Sequence, residues 1–156
     1  MNPQEKKSRL TVPKTTLSIM IIIFCLIAAY FTIPAGTKDK DLLFPLVIIL
    51  AAAFLISGAV QVITVHRLRL NKTLKTFLLL SGYSGVAFLA SVVLHNLVYG
   101  FGIFLFGEGI WQGGDEPFFF LIAFVAVPLC FLVGSAGSIV MLLRREGSGK
   151  RTGRNI

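Results

Sequence analysis

Long apolar runs alternate with short polar ones along this chain, and the pattern predicts helices over about 15–33, 42–65, 76–106 and 117–143. An apolar run of eighteen or more residues is long enough to cross a hydrocarbon core of about 30 Å. The third run is the most informative. Thr76 to Phe106 spans 31 residues without Asp, Glu, Lys or Arg, and it carries His95 and Asn96. As one helix it would be roughly 46 Å long at about 1.5 Å per residue. It must therefore tilt, protrude, or break near His95–Asn96. Leu97 to Phe106 holds no proline and no charge, which favours an unbroken, tilted helix. Such a helix carries Tyr99 and Phe106 outward, where the Trp111 loop or a partner would have to cover them.

Within the third run, Ser81, Ser84, Phe88, Ser91, His95, Val98 and Gly102 follow at alternating steps of three and four. Residues so spaced share one helical face. It is the most polar face of this helix, and in hydrocarbon it is expected to turn toward other helices. His95 continues the serine face and is expected inward. Asn96, about 100° away, is expected to meet a second neighbour or to cap a helix break. By depth, the partners expected for His95 are Thr32, Asp115 or Glu116. Gln61, near the end of the second run, matches Ser81 and Ser84 in depth and is expected to meet them, because helices joined by a short loop are antiparallel neighbours. Small residues stripe the other helices as well: Ser18, Cys25, Ala29 and Thr32; Ala53, Ser57, Gln61 and Thr64; Ala123, Ala126, Cys130, Gly134, Gly137 and Met141. Membrane helices pack through such stripes.

The polar segments divide the chain into a disordered arm over 1–13, a helical domain over 14–145, and a disordered tail over 146–156. The first run has 19 residues, longer than the core of a signal peptide, and its end resembles no small-residue cleavage site, so an uncleaved helix is expected. Pro45 is expected in the first turn of the second helix, where its missing N–H does little harm. Pro128 is expected to kink the fourth. Four glycines between Gly107 and Glu116 predict a loop.

Composition agrees with this pattern. Only 14% of residues are charged, against about 25% in soluble domains. The net charge of +8 would suggest nucleic acid in a soluble protein. Here 13 of the 15 basic residues fall on one side of a four-helix topology, and only Lys38 and Lys40 on the other. Basic loops face the cytoplasm. That predicts an all-α, four-helix bundle in the cell membrane with both termini cytoplasmic and no nucleic-acid partner. Arg67, Arg69, Lys72, Lys75, Arg144 and Arg145 would then face the anionic headgroups of the bilayer. The Asn71-Lys72-Thr73 sequon falls on that cytoplasmic side and is discounted.

The chemistry carried by these residues is sparse. Cys25 and Cys130 lie in apolar runs without a Cys-x-x-Cys and are expected to be reduced and buried. No helix has a charge at mid-depth, where coupled transporters place one. The small multidrug antiporters are similar in length and helix number but rely on an acidic residue in the first helix, and 15–33 has none. Gly147-Ser148-Gly149-Lys150 lacks the spacing and the preceding strand of a phosphate loop. No catalytic, cofactor or metal residues are assigned, and the pattern does not point to an enzyme. The polar cluster of Gln61, Ser81, Ser84, Ser91, His95 and Asn96 is the candidate site, with Glu108, Asp115 and Glu116 as acidic residues on the outer side. The reading that follows is an interaction or regulatory subunit packing with partner helices or with a second copy. The alternative is an oligomeric small-solute transporter or channel using the polar face of the third helix.

Overall fold

The computed structural model describes residues 10–34, 36–111 and 117–152, with the backbone alone for Glu108 and 145–152. Every element among these residues is helical. Helix α1 runs Thr11–Phe31, α2 Lys38–Arg67 and α3 Lys72–Phe106; a 3-10 turn follows at Glu108–Trp111. Helix α4 covers 117–152 and contains a π-helical turn at Ile122–Ala126. All four helices are long and apolar enough to cross a membrane. Of the expected regions, residues 1–9 of the arm, the loop residues 112–116 and the last residues 153–156 lie outside the described residues.

Most helix ends fall outside the apolar runs, because polar groups set them. Asn71 Oδ1 accepts the N–H of Thr73 at 3.1 Å, so the sequon asparagine caps α3 four residues before the apolar run begins. Helix α2 opens at Lys38 with Asp39 and Asp41 in its first turn, at the positive end of the helix dipole. That extension moves Pro45 into the helix interior, correcting its expected place in the first turn. Helix α3 is unbroken to Phe106, and Gly107 ends it at φ +81°, a conformation that favours glycine. At the other extreme, α4 continues to Thr152 instead of stopping at Arg144–Arg145.

Pro128 explains the π turn. Its ring crowds the carbonyl four residues back, that of Phe124, and supplies no N–H to it. The wider turn just before it relieves the clash, with the N–H of Val127 donating to Ile122 O, five residues back.

Packing follows chain order: α1 lies on α2, α2 on α3, and α3 on α4, with a smaller contact between α1 and α3. Helix α3 is therefore the central element. Two apolar clusters stack along the bundle. Leu17, Val65, Leu74 and Leu78 form one, at the end where Arg67, Arg69, Lys72 and Lys75 emerge. Met20, Ile23, Ile27, Phe54 and Phe131 form the other. In α1 the buried residues are large, and the predicted small stripe of Ser18, Cys25, Ala29 and Thr32 faces outward. Large side chains of α1 instead fill space left by small residues of α3: the Met20 methyl lies 2.9 Å from where Gly85 would carry a Cβ. Both cysteines are free and exposed on the bundle surface, not buried as expected.

Candidate functional site

Between the two apolar clusters lies a polar layer. On α2, Gln61 falls between Phe54 and Val65; on α3, Ser81 and Ser84 fall between Leu78 and Phe88; on α4, Ser135 and Ser138 fall between Phe131 and Met141. All five side chains are buried. Thr16 of α1 completes the layer through a hydrogen bond to the Gln61 side chain.

Thr16 Oγ1 also lies 2.9 Å from Val12 O and 3.2 Å from Pro13 O. A hydroxyl has one proton, so these contacts compete for it. Turning the Gln61 amide so that Nε2 donates to Thr16 Oγ1 frees that proton for Val12 O. In either orientation one amide atom is left without a protein partner, and so are the buried hydroxyls of Ser135 and Ser138. The other two serines are satisfied within their own helix: Ser81 donates to Leu78 O at 3.0 Å and Ser84 to Leu80 O at 2.8 Å. Gln61 thus comes to the level of Ser81 and Ser84, beside Gly82, but its bond is to Thr16.

Glycines seal this layer. A Cβ on Gly58 would lie 2.7 Å from Gly82 O, and one on Gly82 would lie 2.9 Å from a methyl of Val62. Across α3, a Cβ on Gly134 would lie 2.7 Å from the Ser81 nitrogen and 3.1 Å from Phe77 O. The Gly58 and Gly134 contacts are backbone-to-backbone approaches, closer than a larger residue permits. The polar face of α3 is consequently packed shut between α2 and α4 at this level. Gly134 and Gly137 stand out in the sequence pattern, whereas Thr16, Gly58, Gly82, Gly85, Ser135 and Ser138 join the layer without having been singled out by it. The available signals were the small-residue pairs Gly82-x-x-Gly85 and Gly134-x-x-Gly137, with serines beside them.

The rest of the predicted cluster separates. Ser91 is buried, and His95, half-buried, sets its ring 6.0 Å from that of Phe120 on α4. Asn96 neither caps a break nor meets a second helix: it is exposed and donates Nδ2 to Val92 O at 2.8 Å. A lone amide on an apolar surface satisfies itself most readily on the preceding turn of its own helix. Thr32 likewise bonds back, to Ala29 O at 2.6 Å. Asp115 and Glu116 lie outside the described residues, as does the side chain of Glu108. Near the C-terminal end of α3 the Trp111 indole packs on Gly102, stacks on Tyr99 at 6.0 Å, and donates Nε1 to Tyr99 O at 3.3 Å, whereas Phe106 stays exposed, without the cover expected for it.

A second feature is a cavity of about 280 Å³ in the half of the bundle away from the basic end. Every lining residue is apolar, and six are phenylalanines. Phe54 and Phe88 form its floor; Phe24 and Phe31 of α1 face Phe131 and Phe124 of α4 across its mouth. The π turn of α4 borders it.

No protein-family model, curated protein or solved structure matches this chain.

Proposed function

We propose that this chain is a multi-pass protein of the cell membrane, with both termini and the Arg67–Lys75 connection in the cytoplasm. We further propose that it acts as an interaction or regulatory subunit, packing with partner helices in the bilayer. The basic residues support the orientation: among the described ones, Lys14, Arg67, Arg69, Lys72, Lys75 and Arg144 lie toward the end of the bundle formed by Leu17, Val65, Leu74 and Leu78, while Lys38 and Lys40 stand at the other.

The observation that carries the functional reading is the closed polar layer. A channel or transporter would need the Ser81–Ser84–Ser91–His95 face to line a hydrated path. Ser81 and Ser84 instead return their hydroxyls to their own helix and sit behind the glycine crossings with Gly58 and Gly134. A surface for a partner is available on α2, the least covered of the four spans. Leu42, Leu46, Ile49, Ile56, Val60 and Ile63 form an exposed apolar seam there, at the heptad-like spacing that helix pairs use.

Two measurements test this. Photo-crosslinkers at Ile49 and Ile56 in cells are expected to give one adduct of discrete mass, absent when the probe sits at Phe104. Reconstituted protein is expected to leave vesicles impermeable to ions and small solutes. Solute flux that Ser84→Leu abolishes would favour the channel reading instead.

A further inference from the structure

We propose that the phenylalanine-lined cavity is a binding site for one acyl chain of a phospholipid. The proposal rests on the membrane reading above but not on the interaction role.

The mouth has a simple construction. On α1, Phe24, Ala28 and Phe31 are spaced i, i+4 and i+7, and on α4 so are Phe124, Pro128 and Phe131. Residues at these spacings share a face. The two helices run antiparallel, so the rings meet in two pairs: Phe24 with Phe131 at 4.8 Å and Phe31 with Phe124 at 5.4 Å. On these faces Ala28 and Pro128 stand between the pairs, neither with a side chain long enough to close the gap, while Ile27 and Val127 line the cavity behind them, buried. The result is a side window roughly 10 Å tall, seven residues at about 1.5 Å each. Ala28, Phe31 and Phe124 are exposed, so the window opens on the outer surface of the bundle.

The lining decides the occupant. A cavity lined only by apolar side chains stays dry; one of about 150 Å³ already prefers benzene to water. This cavity is larger, at about 280 Å³, and offers water no polar side chain. It faces sideways at the depth of the hydrocarbon, where thin apolar chains are the surrounding solvent. One ammonium, that of Lys40, stands above it. Lys40 Nζ lies 5.4 Å from the Tyr30 ring and donates to Ile33 O at 3.2 Å, and Tyr30 stacks edge-on against Phe31 at 5.5 Å. An ammonium has three donors, so Lys40 can also meet a phosphate headgroup while the chain below it enters the window. Asp39 and Asp41 stand beside it in sequence and are exposed, so the attraction is local to the ammonium.

The test uses the full chain reconstituted in phosphatidylcholine vesicles doped with a phosphatidylcholine carrying a mid-chain diazirine. After irradiation, adducts are mapped by peptide mass spectrometry. Label is expected to concentrate on the α1 and α4 peptides that contain Ala28 and Pro128. Ala28→Trp, at an exposed position that tolerates bulk, is expected to plug the window and lower that label about tenfold, the ratio produced by 1.4 kcal/mol. Ala28→Leu should lower it less and serves if the tryptophan variant fails to fold. Ile22→Trp, on the same helix outside the cavity, should change nothing. Label spread evenly over the outward faces of all four helices, unmoved by Ala28→Trp, would overturn the site while leaving membrane residence intact. A wild-type chain that takes up no lipid label would overturn the membrane reading as well.

Discussion

Gly58 of α2 and Gly85 of α3 meet backbone to backbone: a Cβ on Gly58 would sit 3.1 Å from the Gly85 Cα, and one on Gly85 3.2 Å from the Gly58 Cα. Neither helix can approach the other so closely with a larger residue there. Gly58→Leu or Gly85→Leu is expected to force α2 and α3 apart and to lower stability by about 1–3 kcal/mol or more, the range for overpacked sites. Gly100 provides the contrast, being exposed with nothing within 4 Å of a built Cβ. Gly100→Ala should raise helix stability by about 0.5–1 kcal/mol. Unfolding in mixed detergent micelles measures all three, and equal loss from Gly100→Ala would contradict the assignment of the crossing.

The Thr16–Gln61 bond makes a second prediction. Thr16→Val strands the buried amide of Gln61, which is expected to lower stability by about 1–3 kcal/mol. Gln61→Leu removes the amide together with its need for a partner and should stay within about 1 kcal/mol of wild type. The double variant should recover most of the loss, giving a coupling on the order of 0.6–2 kcal/mol in a mutant cycle. Strictly additive losses would mean that the two side chains do not interact.

Trp111 is the only tryptophan, so its fluorescence reports on the cap over α3. Its ring atoms lie 2.9–3.1 Å from where Gly102 would carry a Cβ. Gly102→Leu is expected to lift the indole off the helix, shift its emission to the red and increase quenching by iodide. Gly100→Leu, two residues away on an open face, should leave the spectrum unchanged. A red shift from both variants, or from neither, would count against the packing described.

The helices were legible in the sequence because four apolar runs allow little else, and the buried serine stripe was legible because Ser81, Ser84 and Ser91 keep helical period. Helix ends were not: Asn71 and Asp39 extend α3 and α2 beyond their apolar runs through capping and charge, which hydropathy does not register. The stripe of small residues failed on α1, where Met20 turns inward against the space left by Gly85 and Ile27 joins the same core cluster. Size complementarity belongs to pairs of helices, and one helix read alone cannot show it. Asn96 was misread for a related reason, since a bond to its own helix leaves no trace in spacing. The aromatic cavity was hidden by abundance: with 14 phenylalanines in the chain, the six around the cavity carry no distinct signature.

The proposed orientation puts the basic end of the bundle in the cytoplasm, and cysteine labelling in intact cells tests it most directly. Cys25 and Cys130 are free and exposed, so both must first be replaced by alanine. Single cysteines are then introduced at Gly113, in the connection between α3 and α4, and at Lys72, at the start of α3. A membrane-impermeant maleimide is expected to label Gly113→Cys from outside and to reach Lys72→Cys only after permeabilisation. Labelling of Lys72→Cys in intact cells, with Gly113→Cys protected, would contradict the orientation and with it the assignment of the basic residues to the cytoplasmic face.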